Sequence, residues 1–111
     1  MTYRDLIVER DGPLAKVILN PPESLNTLSL HLLRELKDTA WEIQKDTEIR
    51  VVILTGARGI FSAGLNLKDP EIGKIMTGSL AERRERVILG PEACQVWEEL
   101  RPVTIAAIEG F

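Results

Sequence analysis

One cysteine in 111 residues leaves no room for an internal disulfide and excludes a bridge-stapled secreted scaffold. That residue, Cys94, lies in an apolar helical pattern with no base nearby in sequence and is expected to be a buried structural thiol rather than a nucleophile. Long apolar runs are also missing. The opening MTYRDLIVERDG carries a charge every few residues, so it offers neither a signal peptide nor a membrane span. The chain is therefore expected in the cytoplasm, or in an organelle only with a targeting segment outside this sequence. Basic excess is absent too. Fourteen Lys and Arg stand against 17 Asp and Glu, a net charge of −3, which argues against nucleic acid as the main partner. There is no short-period repeat and no low-complexity tract. Neither the dinucleotide fingerprint G-x-G-x-x-G, the nucleophile elbow G-x-S-x-G, the Cys and His spacings of zinc sites nor a calcium loop occurs, so no metal is expected.

What is present suits one small α/β domain, able to bury somewhat under ~70% of the surface its unfolded chain exposes. Leu6 to Glu9 and Leu14 to Leu19 read as antiparallel strands around a tight turn at Asp11-Gly12. Asn20-Pro21-Pro22 ends that ladder, and ESLNTLS reads as an extended connection. A helix follows, capped by Thr27 or Ser29, with Leu32, Leu33, Leu36, Ala40 and Ile43 on its apolar face. Val51 to Leu54 lacks polar alternation, as expected of a parallel strand buried on both sides. Pro70 to Ser79 gives no clear pattern. Helical periodicity resumes at Leu80, but Gly90-Pro91 predicts one helix to about Leu89 and a second opening at Pro91, with Ala93, Val96, Trp97 and Leu100 buried. Val103 to Ile108 reads as a further buried strand leading to Glu109-Gly110-Phe111.

Chemistry concentrates in RVVILTGARGIFSAGLNLKD, Arg50 to Asp69, where a strand runs into a turn of small residues that leaves main-chain N–H groups free. Gly59 and Gly64 have the spacing of a phosphate loop, but Leu65 and Asn66 stand where that loop needs Lys and Ser or Thr. His31 has no paired Cys, second His or carboxylate motif and is expected to face solvent or cap its helix. The run Glu82 to Arg86 reads as a solvated helix face.

The opening hairpin, LNPPESLNTLS ahead of an amphipathic helix, RVVILTGARGIFSAGLNL and LRPVTIAAIEGF together resemble the N-terminal portion of the crotonase, or enoyl-CoA hydratase/isomerase, superfamily over essentially the whole chain. The resemblance implies a crotonase-like α/β spiral core of ββα units. The implied substrate is an acyl-CoA, most often an α,β-unsaturated one that is hydrated. No cofactor is implied beyond the coenzyme A of the substrate, and the complete protein would be a homo-oligomer, a trimer or a dimer of trimers. In that reading the main-chain N–H of Ala63 is one of two donors to the thioester oxygen as an enolate forms, a fixed donor of this kind being worth roughly 3 kcal/mol. Small residues at Ser62, Ala63 and Gly64 would let the thioester approach. Coenzyme A would bend around Ser24, Leu25 and Thr27 on one side and Ser62, Ala63, Gly64, Leu65, Asn66 and Leu67 on the other. The Ala63 role requires an amide that no intramolecular bond uses.

Two departures accompany the resemblance. Asn66 stands where many relatives carry Asp, and Gly90-Pro91 falls where relatives often keep a continuous helix. The second donor and the catalytic carboxylates are expected beyond the position matching Gly110, so the 111 residues read as one part of a single domain that stops short of them, and Glu109 is not expected to be the base. Isomerisation, C–C bond hydrolysis by the same oxyanion chemistry, or a noncatalytic CoA-binding scaffold stand as alternatives.

Overall fold

The computed structural model describes residues 2–22 and 24–110, Ser24 by its backbone alone; expectations that touch Glu23 or Phe111 lie outside the described residues. Strands β1 (Leu6–Asp11), β2 (Leu14–Leu19), β3 (Val51–Gly56) and β4 (Val103–Ala106) form one sheet in that order. The first pair is antiparallel and the next two are parallel. Helix α1 (Leu30–Lys45) follows the hairpin, and the short α2 (Pro70–Gly73) and long α3 (Leu80–Glu98) connect β3 to β4. This is the expected α/β arrangement, a ββα unit followed by a parallel crossover.

The hairpin turn sits one residue later than Asp11-Gly12 predicts. Asp11 pairs with Leu14, so Gly12 and Pro13 form the two-residue loop, with Gly12 at φ 57°. Proline's fixed φ suits the second loop position and glycine the positive φ of the first. Ser29 caps α1, its hydroxyl accepting from Leu32 N at 3.0 Å. Leu32, Leu33, Leu36, Ala40 and Ile43 are buried as the spacing predicts.

One face of the sheet packs on the helices. Ala15, Val17 and Leu19 of β2 and Val52 of β3 point into a core shared with Leu32, Leu33, Leu36 and Ile43 of α1 and with Leu89 and Ala93 of α3. Trp97 joins it through a bond from its indole N–H to Leu36 O at 2.8 Å. The opposite face is uncovered among the described residues, which corrects two expectations. Of Val51 to Leu54 only Val52 is fully buried, and all four residues of β4 are exposed, Val103 at 64% and Ile105 at 48%. An unalternating apolar strand needs layers on both sides to be buried, and here one layer is present. Among the described residues the outer edge of β4 is unpaired as well.

Helix α3 runs through Gly90-Pro91 without a break. Pro91 removes one hydrogen bond, to the carbonyl four residues earlier, and that residue, Val87, lies on the exposed side. Packing of Leu89, Ala93 and Trp97 against α1 and the Lys37–Glu92 ion pair at 2.6 Å hold both halves in line. Cys94, expected inside, is exposed because Ala93 and Trp97 take the inward face of this turn. The Glu82 to Arg86 run is only partly a solvated face: Arg86 donates to Lys74 O and Thr77 O, both at 2.7 Å, and pins the turn before α3. The unassigned 70–79 stretch becomes α2, capped by Asp69, followed by that turn.

Two outcomes test these elements. An alanine at Gly56 would drive its Cβ into the Ile60 and Phe61 carbonyl oxygens and against Asn26 Nδ2 at 2.8 Å, so Gly56→Ala costs about 3 kcal/mol in urea unfolding. Glu82 closes a capping box with Ser79, and the Ser79 hydroxyl and amide hold its carboxyl below the ordinary glutamate value. A depressed carboxyl stabilises the fold above its unfolded pKa and loses that contribution as pH falls through the folded value. Glu82→Gln therefore lowers the melting temperature at neutral pH, and the difference from the parent chain vanishes in acid.

Candidate functional site

The connection after the prolines is not extended. It forms a one-turn 3-10 helix at Ser24–Asn26, with Leu25 at φ 64° and Asn26 at φ 49°. Asparagine tolerates that left-handed region better than most residues, and the turn drives its side chain inward until Asn26 is 1% exposed. There Nδ2 donates to Ala57 O at 2.9 Å and to Ile60 O at 2.8 Å, while Oδ1 accepts from the Arg58 guanidinium at 2.6 Å. Arg58 also reaches Asn20 Oδ1 and Pro21 O. One buried amide thus joins the 24–28 turn to the loop that leaves β3.

The two segments then run side by side. Ala63 N donates to Leu25 O at 2.9 Å, Leu28 N to Gly64 O at 2.8 Å and Asn66 N to Leu28 O at 2.9 Å, giving a parallel bridge between Leu28 and Leu65. Ser62 Oγ donates to Asn26 O at 2.8 Å and accepts from Gly64 N at 3.1 Å. The Ala63 amide is therefore spent inside the fold, which corrects the expectation that it is the free donor. Gly64 explains the change. At φ 96° it breaks the alternation of an extended chain, so the amides on both sides of it, Ala63 and Asn66, turn toward the 25–28 segment. Leu65, at the centre of the bridge, turns its N–H the other way, and it has no hydrogen-bond partner among the described residues.

Beside that N–H is a cleft of about 600 Å³ lined by Leu25, Thr27, Leu65, Asn66, Leu67, Lys68, Asp69 and Pro70. Of the expected site residues, Leu25, Thr27, Leu65, Asn66 and Leu67 meet there. Ser62, Ala63 and Gly64 lie outside that lining, on the stretch bonded to the 25–28 turn, and Ser24 opens the 3-10 turn next to Leu25. Asn66 accepts from Lys68 N at 3.0 Å and folds the next turn. Asp69 is spent on architecture: Oδ2 accepts from Leu30 N at 2.9 Å and Oδ1 from Glu71 N at 3.0 Å, capping α1 and α2 together. Arg58 and Asp69 were not legible as site residues, and Asn26, although inside the expected Ser24 to Thr27 segment, was not legible as the residue that clamps it. The one available signal was Asn26 itself, a residue suited to positive φ just after two prolines.

The family of enoyl-CoA hydratases and isomerases matches residues 9–111. The chain belongs to the enoyl-CoA hydratase/isomerase family. An enoyl-CoA hydratase of Mycobacterium tuberculosis is 43% identical over 111 residues, covering 96% of this chain and 39% of that protein. The short-chain-enoyl-CoA hydratase of Clostridium acetobutylicum is 35% identical over 112 residues, covering 100% of this chain and 41% of that protein. Among solved structures, the enoyl-CoA hydratase of Bacillus anthracis superposes with a TM-score of 0.80 at 33% identity, covering 96% of this chain and 40% of that one. The fold is thus the crotonase fold, and the chain spans about two fifths of the length of the curated relatives it matches.

The clamp has a direct test. Asn26→Ala removes the amide that bonds the Ala57 and Ile60 carbonyls and takes one of three bonds from the Arg58 guanidinium, and costs about 3 kcal/mol in urea unfolding.

Proposed function

We propose that this chain supplies the thioester-binding wall of an acyl-CoA-processing site, with the Leu65 N–H as the donor to the thioester oxygen, in an enzyme that hydrates α,β-unsaturated acyl-CoA. The observation that carries this reading is the unpartnered Leu65 amide, held by the bridge on its far side and beside the cleft. A donor fixed in place before charge develops needs no reorganisation as an enolate forms, and is worth roughly 3 kcal/mol toward the transition state. Coenzyme A would lie along Leu25 and Thr27 on one wall and Leu65 to Leu67 on the other, recognised mainly by main-chain groups. The hydratase names of the relatives support hydration over isomerisation or C–C bond hydrolysis.

A second reading, binding of acyl-CoA without turnover by this chain alone, is favoured by one observation: the cleft's one carboxylate among the described residues, Asp69, has both oxygens committed to helix caps. General acid–base chemistry needs a carboxylate that faces the substrate, and these bonds turn both Asp69 oxygens toward the helix termini. A homo-oligomer belongs to the same proposal, supported by the exposed apolar β4 and its open edge. So does a cytoplasmic location, which an exposed, unpaired Cys94 thiol fits. Among the described residues no helix is long and apolar enough to cross a membrane.

Titrating the ¹⁵N-labelled chain with crotonyl-CoA distinguishes the donors. The Leu65 amide proton moves downfield on binding while Ala63, already bonded, stays near its free position. A response at Ala63 with none at Leu65 overturns the assignment, and loss of the enoyl absorbance in the same samples separates turnover from binding.

A further inference from the structure

Away from the cleft, three metal-ligating side chains converge where the chain enters β1. Asp5 precedes that strand; His31 and Glu35 lie one turn apart on the same face of α1. One donor atom from each falls within 4.8 Å of the other two. The carboxylates are deeply buried, the Asp5 side chain 1% and the Glu35 side chain 11% exposed. His31 keeps 40% of its side chain exposed, yet its Nε2 is turned inward and buried, and makes no hydrogen bond. That departs from a plain solvent-facing or capping role.

We propose that Asp5, His31 and Glu35 form a binding site for a divalent transition-metal ion of the Zn²⁺ type. Nε2 stands 3.6 Å from Glu35 Oε1 and 4.0 Å from Asp5 Oδ2. A charge-assisted hydrogen bond from an imidazolium would close to about 2.7–2.9 Å. Two ligands on a tetrahedral zinc, each about 2.0–2.1 Å from the ion, stand about 3.4 Å apart. The Glu35 separation is close to that edge and the Asp5 separation needs a small inward movement.

The surrounding bonds are those that hold ligands in place. Glu35 accepts from Asp5 N at 2.7 Å and from Arg4 N at 2.6 Å, and Asp5 accepts from the Arg4 guanidinium at 3.1 and 3.2 Å. Such bonds orient ligating carboxylates and leave each oxygen a further lone pair. An imidazole with two carboxylates suits zinc better than the all-oxygen preference of calcium or magnesium. The exposed side of the His31 ring gives the ion a way in and leaves a fourth position for water. Bound there, the ion would tie the entry to β1 onto α1, a structural role independent of acyl-CoA.

His31 is the single histidine of the chain, so its ring protons report on the site without ambiguity. The untagged chain, with Cys94→Ser removing the one thiol, is titrated with Zn²⁺ against a chelating dye and followed by proton NMR. One equivalent is expected to bind, with the His31 ring resonances moving to completion at that point and the melting temperature rising. Asp5→Asn, His31→Gln and Glu35→Gln are each expected to weaken binding at least ~10-fold. Glu35→Gln disturbs the bonds to Arg4 and Asp5, so if it fails to fold, His31→Gln decides. No saturable binding, binding that leaves the ring resonances unmoved, or equal affinity in His31→Gln overturns the proposal. Each of these outcomes is independent of whether crotonyl-CoA binds at the cleft.

Discussion

The Asn26 side chain is the constraint on which the cleft depends. Its amide is buried, bonded to two carbonyls of the loop after β3 and to Arg58, and it sits in a turn whose own carbonyls receive Ala63 N–H and the Ser62 hydroxyl. Two segments joined by bonds between residues 31 to 38 positions apart are thereby locked into register. A buried amide with all these groups satisfied stabilises the turn, and the same amide with one partner removed leaves buried polar groups unpaired. That asymmetry gives the turn a single arrangement.

From this register follows the chemistry proposed for the cleft. The core positions the end of β3, the clamp positions the loop beyond it, and Gly64 reverses the direction in which the next amide faces. Leu65 then keeps its N–H on the cleft side, while Asn66 N–H goes to Leu28 O and Gly64 N–H to the Ser62 hydroxyl. The bulk of Leu65 is no obstacle, because its side chain is half-exposed and only its nitrogen is asked to contribute. Asp69 completes the frame by capping two helices at once, which keeps the floor of the cleft in place.

The uncovered face of the sheet belongs to the same account. Ile53 and Ile105 stand in register with Lys16 on that face, while the covered face is sealed by α1 and α3. The apolar character of Val103 to Ile108 is that of a strand suited to burial, and its open edge presents unpaired main-chain groups. Cys94 is exposed on the helix side for a related reason: a single layer of helices can cover one face of each element and no more.

The sequence by itself determined the hairpin, the amphipathic α1, the existence of a strand at Val51 to Leu54 and the family, because each rests on local periodicity, on turn residues or on a run of motifs in order. It marked Ser24 to Thr27 and Ser62 to Leu67 as the expected site segments, and the structure runs the two stretches side by side. Only the tertiary structure decided that the Ala63 N–H is spent within the fold and the Leu65 N–H is not. A main-chain N–H has no residue type to read, and its direction follows from one glycine torsion and from a bridge to a segment remote in sequence. The continuity of α3 past Pro91, the exposure of β4 and the meeting of Asp5 with His31 and Glu35 were likewise settled by packing between distant elements, which no window along the chain contains.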